Sequence, residues 1–176
     1  REVERAAARG VPGALLYIDL DNFHQVNDSL GHRAGDALLC CVAETIQAHL
    51  RDGDRVARPG DDEFAVLLPQ TTEEEAKYIA TRLLRVVNQE AVAVAGRVVR
   101  AQASIGIALF PKPAATLEDV LAYAHLALYV AKQRGGNRFC VYDVAQNCRL
   151  RVQTHLNWDQ LCREALDKER FTLHWQ

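Results

Sequence analysis

A mixed α/β sandwich built on a mainly antiparallel sheet is the fold class this sequence predicts, and three observations predict it. Short β-prone runs of strand length alternate with longer segments of helical spacing. Gly-containing turns, not helices, join several of those runs, and such turns make hairpins and antiparallel pairs. One run, Ala14-Leu15-Leu16-Tyr17-Ile18, is apolar throughout, as a central strand covered on both faces must be. The order read along the chain is β-α-α-β-β-α-β-β-α-β. That order excludes a doubly wound parallel sheet and leaves a central, mainly antiparallel sheet flanked by helices.

Each element has its own signal. Arg1 to Arg9 is charged and Ala-rich and predicts the end of an upstream helix, with residues 1–12 forming a linker broken by Gly10 to Gly13. The apolar strand follows and runs into Asp19-Leu20-Asp21. Phe23 to Leu30 has helical spacing and ends at Gly31. Leu38, Leu39, Val42, Ile46 and Leu50 keep that spacing through a second helix to about residue 50. Arg55 to Arg58 and Phe64 to Leu68 are β-prone and flank Gly60-Asp61, which suits a type II′ hairpin turn with Gly at its first central position. Thr71-Thr72 before Glu73-Glu74-Glu75 offers a capping box for a helix to about Gln89. Ala91 to Ala95 and Arg97 to Phe110 flank Gly96 and predict a second hairpin. Thr116 with Asp119 caps a further helix whose Leu117, Val120, Leu121, Ala124, Leu128 and Ala131 form one apolar stripe. Gly135-Gly136 stops it before a short strand, Arg138 to Tyr142. Residues 13–143 thus form one domain. Residues 144–168 turn helical again, and Phe171 to Trp175 is a strand with no partner within the sequence, so residues 144–176 read as a linker helix and the first strand of a following domain.

Composition narrows the class. In 176 residues, 49% apolar and 25% charged content supports one sizeable core. A net charge of −2 gives no electrostatic footprint for nucleic acid or an anionic membrane surface. No apolar run approaches the ~20 residues of a membrane span, and no secretory signal pattern opens the chain. Cys40, Cys41, Cys140, Cys148 and Cys162 have neither disulfide nor metal spacing and read as reduced thiols of a cytoplasmic protein. The absence of Met and the start at Arg1 predict a segment of a longer protein.

The chemistry concentrates in two acidic clusters. Arg58-Pro59-Gly60-Asp61-Asp62-Glu63-Phe64 puts three consecutive acids on a turn, where the side chains cannot disperse their charge. Asp19 and Asp21 close a buried strand, the place where α/β folds gather ligand groups. A lone Asp there would read as a solvated loop start; two such clusters predict a shared cation. Carboxylates without Cys or His point to Mg²⁺ or Ca²⁺ instead of zinc. Mg²⁺ takes one or two carboxylates and completes its shell with substrate phosphates, which implies nucleotide chemistry.

Together these motifs resemble the GGDEF (diguanylate cyclase) domain of bacterial cyclic di-GMP signalling over roughly residues 13 to 142. Ile18 to Phe23 is similar to that family's metal-binding strand end, Val26 to Asp36 to its guanine-recognition segment, and Asp54 to Leu68 to its signature hairpin. Ala103 to Ala108 matches a core strand, and Ala124 to Asn137 its last helix and loop. The resemblance implies a palm-like fold shared with nucleotide cyclases. It implies Mg²⁺ (or Mn²⁺) held by Asp19, the Leu20 carbonyl and Asp62, and Glu63 assisting the metal or the attacking ribose hydroxyl. Asn27 and Asp36 would read guanine, and Lys132, Gly60 and His24 would line the triphosphate path. Arg51 and Asp54, in Arg51-Asp52-Gly53-Asp54, match a product-inhibition motif that binds cyclic di-GMP; their alternative reading is a helix-end salt bridge. GTP, cyclic di-GMP and a second copy of the domain are the implied partners. Leu161 to Leu166 with Phe171 to Gln176 resemble the opening of an EAL phosphodiesterase domain, implying a tandem GGDEF–EAL parent.

Three positions depart from the family pattern. Asp61 replaces the second signature glycine, His24 the usual Lys, and Gly136 the Arg of the "GRN" loop. All three act against triphosphate binding. A carboxylate ~5 Å from a phosphate charge is repelled by about 3 kcal/mol at an effective dielectric of ~20, and by under ~1 kcal/mol when fully solvated. Two functions therefore compete: a cyclase condensing two GTP, and a catalytically silent GTP- or cyclic di-GMP-binding module regulating an EAL domain. Gly60-Asp61-Asp62 as a polymerase-type hairpin fails on length and on the lack of a basic channel. His32 reads as a capping or packing group, Tyr17 and Tyr129 as core aromatics, and His49, His125 and His155 as scattered.

Overall fold

β1 (Gly13–Leu20) is the axis of the molecule: all eight of its residues are buried. The structure, a computed structural model, describes residues 6, 10–94, 97–111 and 116–143. After β1 come α1 (Phe23–Leu30), α2 (His32–Ala48), β2 (Arg55–Ala57), β3 (Glu63–Pro69) and α3 (Glu73–Gln89). They are followed by β4 (Ala91–Val94), β5 (Arg97–Arg100), β6 (Ala103–Phe110), α4 (Leu117–Gln133) and β7 (Phe139–Val141). The main sheet has the order β2-β3-β1-β6-β7. Its pairs are antiparallel except β6 with β7, which is parallel.

Strand periodicity sorts the core into two layers. Ala14, Leu16, Ile18 and Leu20 of β1 join Phe64, Val66 and Leu68 of β3 and Ile105 and Ile107 of β6 on one face. Leu38, Val42 and Ile46 of α2 cover that face with Ala76, Ala80, Leu83 and Val87 of α3. Leu15 and Tyr17 point the other way and meet Val120, Ala124 and Leu128 of α4. β1 is therefore sandwiched between helices, which is why its sequence shows no polar alternation before Asp19.

Two threonines start the long helices as predicted. The Thr72 hydroxyl accepts from the Glu75 N–H while the Thr72 N–H donates to Glu75 Oε2, and Thr116 with Asp119 repeats the box. α2 begins differently: Gly31 is its N-cap without a side-chain cap, and His32 is exposed. His32 neither caps nor packs.

Two expectations need correction. The run Arg97 to Phe110 is not one strand. It breaks at Ala101-Gln102, where the Gln102 carbonyl accepts the Asp21 N–H at 2.8 Å and the chain passes from a separate β4–β5 ribbon into the main sheet. The β2–β3 connection is also not a two-residue type II′ turn. Five residues, Arg58 to Asp62, separate the strands, and neither Gly60 nor Asp61 has positive φ.

The chain divides after Tyr142 into two units, and every element above lies in the first. The expected C-terminal helix, the strand at Phe171 to Trp175, the EAL-like segment and His155 lie outside the described residues. So does most of the expected upstream helix. No described helix is long and apolar enough to cross a membrane.

α4 reaches the sheet over Gly106. A Cβ there would run into the Ala124 carbonyl and the Leu128 amide and lie 2.9 Å from Leu128 Cα, all helix backbone that cannot rotate aside. Gly106→Ala should therefore cost about 3 kcal/mol or prevent folding, as overpacking against rigid backbone does. Urea unfolding checks this; a loss under ~0.5 kcal/mol would mean that α4 shifts easily.

Candidate functional site

The hydrogen-bond register of β1 brings the two acidic clusters together. Asp19 lies opposite Glu63 on β3 and Ser104 on β6, and the Leu20 N–H donates to the Asp62 carbonyl at 3.1 Å. Asp19 is only 7% exposed. The Lys132 ammonium, from the last turn of α4, lies 2.6 Å from its Oδ1. This is an ion contact without hydrogen-bond alignment, and Oδ1 is left with no aligned donor. Burial raises the Asp19 pKa, Lys132 opposes that shift, and the Asp62 and Glu63 charges add to it; the net direction is upward.

Glu63 is held by Tyr17 and lies over Gly60. The Tyr17 hydroxyl donates to its Oε2 at 2.9 Å, and the same oxygen lies 2.6 Å from where a Cβ on Gly60 would stand. Gly60 is thus needed for close approach, not for a left-handed turn. Burial, then the bond to Glu63 and the neighbouring acids, push the Tyr17 pKa up to about 12. Arg58 braces the tip by donating to the Gly60 and Asp61 carbonyls, and the Asp61 side chain is exposed.

Asp21 does not join the cluster of Asp19, Asp62 and Glu63. Its carboxylate accepts from the Ser104 hydroxyl at 2.8 and 3.1 Å and from the Asn137 N–H at 2.8 Å, so it clamps the loop after α4. Gly136 in that loop has φ +70°, and a Cβ there would approach Asp21 Oδ2 to 3.0 Å. An Arg at this position would need that strained backbone relieved. Asp21, Lys132 and Gly136 border a recess of about 290 Å³.

The α1–α2 turn carries the expected guanine readers. Asn27 packs its carboxamide against Gly35, where any Cβ would overlap Asn27 Oδ1, and this Oδ1 is buried without a partner. Asp36 follows directly and is exposed. His24 is exposed and sits 3.4 Å from Asp28, one helical turn along α1.

Arg51 and Asp54 form a closed pair. Arg51 donates through its backbone N–H and Nε to the buried Asp54 carboxylate, and through Nη2 to the Pro69 carbonyl and the Thr71 hydroxyl. The salt-bridge reading of this motif is therefore realised at the end of α2. Its guanidinium remains half exposed and lines a recess of about 320 Å³ with Gln47, Asp54 and Arg55.

An all-oxygen donor set with a buried, unaligned Asp19 oxygen fits a hard divalent cation. Among the described residues, no three Asp, Glu, His or Cys side chains converge closely enough to enclose a metal unaided. Mg²⁺ uses one or two carboxylates and draws the rest of its shell from carbonyl, water and phosphate. Sequence reasoning missed Tyr17, Ser104 and Asn137. For Tyr17 a signal existed: it is the one polar-tipped residue in the β1 run, two residues from Asp19 and hence on the same strand face.

The family model described as "Diguanylate cyclase, GGDEF domain" matches residues 1–138. The chain belongs to the GGDEF family. It is 38% identical over 163 residues to the bifunctional diguanylate cyclase/cyclic di-GMP phosphodiesterase MucR of Pseudomonas aeruginosa, covering 93% of this chain and 23% of that protein. The chain thus spans less than a quarter of that relative. The GGDEF domain of PA1120 (TpbB or YfiN) from P. aeruginosa superposes with a TM-score of 0.80 at 36% identity, covering 86% of this chain and 88% of the other. The GGDEF domain of DgcB from Caulobacter crescentus, solved in complex with c-di-GMP, gives 0.77 at 26% identity over 81% and 84%.

The Asp19 environment makes a pH prediction. A carboxyl whose pKa is raised on folding binds its proton more tightly in the folded state, so its contribution falls as pH rises from the unfolded ~3.9 through the raised folded value. Asp19→Asn should remove that fall and raise the metal-free melting temperature at pH 7. A lower melting temperature would show that the Lys132 pair outweighs burial.

Proposed function

We propose that this chain is a cyclic di-GMP signalling domain that binds GTP with Mg²⁺ or Mn²⁺ at the β1 end. Where it turns over, two copies face each other and condense two GTP into cyclic di-GMP. The observation that carries this reading is the buried Asp19 carboxylate, offset only in part by Lys132 and set beside Asp62 and Glu63. Asp19, the Leu20 carbonyl and Asp62 would hold the metal. Bound there, the metal would lower the pKa of the ribose 3′-hydroxyl and neutralise phosphate charge. Glu63, with Oε2 engaged by Tyr17, keeps its other oxygen for the proton of that hydroxyl. Each 3′-oxygen attacks the α-phosphate of the other GTP and pyrophosphate leaves, twice per product. Lys132, half exposed beside the recess, would swing from Asp19 to the triphosphate. The exposed Asp36 carboxylate would accept the N1–H and N2–H₂ donors of guanine, with Asn27 beside it as the second reader, and adenine would leave that acceptor unpaired at a penalty of about 1–3 kcal/mol.

A second reading has its own support. His24 is paired with Asp28, Gly136 offers no side chain, and Asp61 adds charge at the tip. With two expected cations absent from the phosphate path, a weak or silent GTP- or cyclic di-GMP-binding module that regulates an adjoining EAL domain is the alternative. The bifunctional name of MucR, which includes the cyclase, agrees with the first reading.

Chromatography of protein incubated with GTP and Mg²⁺ separates the two. Wild-type yield should be low, and Asp62→Asn should abolish metal-dependent GTP binding. Because Asp61 is exposed, its repulsion sits at the screened end, under ~1 kcal/mol, so Asp61→Gly should tighten GTP binding by up to about fivefold. Robust wild-type turnover, or no gain from Asp61→Gly, would show that charge at the tip is not what limits the domain.

Arg51 and Asp54 would form a separate cyclic di-GMP site. The half-exposed Arg51 guanidinium presents a planar fork for phosphate oxygens or the acceptor edge of guanine, and the buried Asp54 carboxylate holds that fork in place. Arg51→Ala should weaken cyclic di-GMP binding at least tenfold and leave GTP affinity unchanged. It should also lower stability by about 1–3 kcal/mol, since it leaves Asp54 buried without its cation. Calorimetry and thermal melts check both; affinities that move together would merge the two sites.

A further inference from the structure

We propose that Tyr17 is a positioning residue for Glu63: its buried hydroxyl, donating to an oxygen for which the bare Cα of Gly60 leaves room, fixes the Glu63 carboxylate in one orientation beside Asp19. The inference rests on reading this strand end as the nucleotide site, but its contact stands on geometry alone. Tyr17 is 4% exposed, and its ring packs in the α4-facing layer with the His125 ring at 3.9 Å between centroids. A phenol so enclosed has one rotamer, so its hydroxyl arrives at Glu63 Oε2 as a fixed donor. Below the same oxygen, the bare Cα of Gly60 permits an approach that any side chain would block.

Without such a hold, Glu63 would be a flexible carboxylate next to two others, and like charges would drive it outward. The hydroxyl offsets part of that repulsion because a donor is the one group that stabilises a carboxylate without adding formal charge. It also leaves the second Glu63 oxygen unspent. Tyr17 touches neither nucleotide nor metal in this account and acts through Glu63. Its place in an aliphatic strand explains why a phenylalanine, equally good for packing, would not serve.

The test is a mutant cycle of wild type, Tyr17→Phe, Glu63→Ala and the double variant, in protein carrying ¹³C-labelled Glu side chains. Tyr17→Phe keeps the ring and should fold. The Glu63 carboxyl NMR signal, identified by its loss in Glu63→Ala, should move in Tyr17→Phe while the other Glu signals stay in place. Affinity for Mn²⁺·GTP, read by calorimetry, should fall about fivefold to tenfold in Tyr17→Phe, the order expected for one net hydrogen bond. Adding Tyr17→Phe to Glu63→Ala should change it less than twofold. An unmoved Glu63 signal overturns the proposal, as do additive effects in the cycle. A moved signal in a wild type that binds no Mn²⁺·GTP would sustain the contact and reject the nucleotide reading instead.

Discussion

A carboxylate at the end of the most deeply covered strand is the constraint on which this molecule turns. β1 is buried on both faces because α2 and α3 lie on one side and α4 on the other. Asp19 inherits that burial, and its charge must be answered locally. Lys132 answers it in part, from α4, which crosses the opposite face of the sheet. The remaining imbalance, deepened by Asp62 and Glu63, is the ground on which a cation is proposed at the strand end.

The surrounding structure serves to hold that imbalance in place. Asp21, two residues on, spends its carboxylate on Ser104 and Asn137 and so ties the loop after α4 to the strand end. Tyr17, two residues back, secures Glu63 from the core side. Arg58 grips the carbonyls of the hairpin tip, so an aspartate in place of glycine at position 61 leaves the backbone undisturbed. Tyr17 and Asp19 at the end of β1, with Asp21 just beyond it, thus align the hairpin, the carboxylate proposed to bind metal and the final loop.

Much of this was legible in the residues, because hydrophobic periodicity and caps are local signals. The unbroken apolar run fixed the central strand, and Thr72 and Thr116 marked helix starts to the residue. The two acidic clusters stood out because they crowd like charges on a turn and at the end of an apolar strand. What was not legible depends on contacts between distant segments. The break at Gln102 comes from its bond to Asp21, and the role of Gly60 from a glutamate three residues on that folds back over it. Asp21 looked equivalent to Asp19 because sequence spacing cannot reveal that Ser104 and Asn137 reach only one of them.

The central claim is that Asp19 and Asp62 answer to one cation. Amide NMR during Mg²⁺ titration with a non-hydrolysable GTP analogue tests it most directly. The account predicts that Asp19, Leu20 and Asp62 shift together with one saturation curve, that Asn27 and Asp36 move only when nucleotide is present, and that Asp62→Asn removes the first set. Independent curves for Asp19 and Asp62, or shifts confined to other segments, would contradict it.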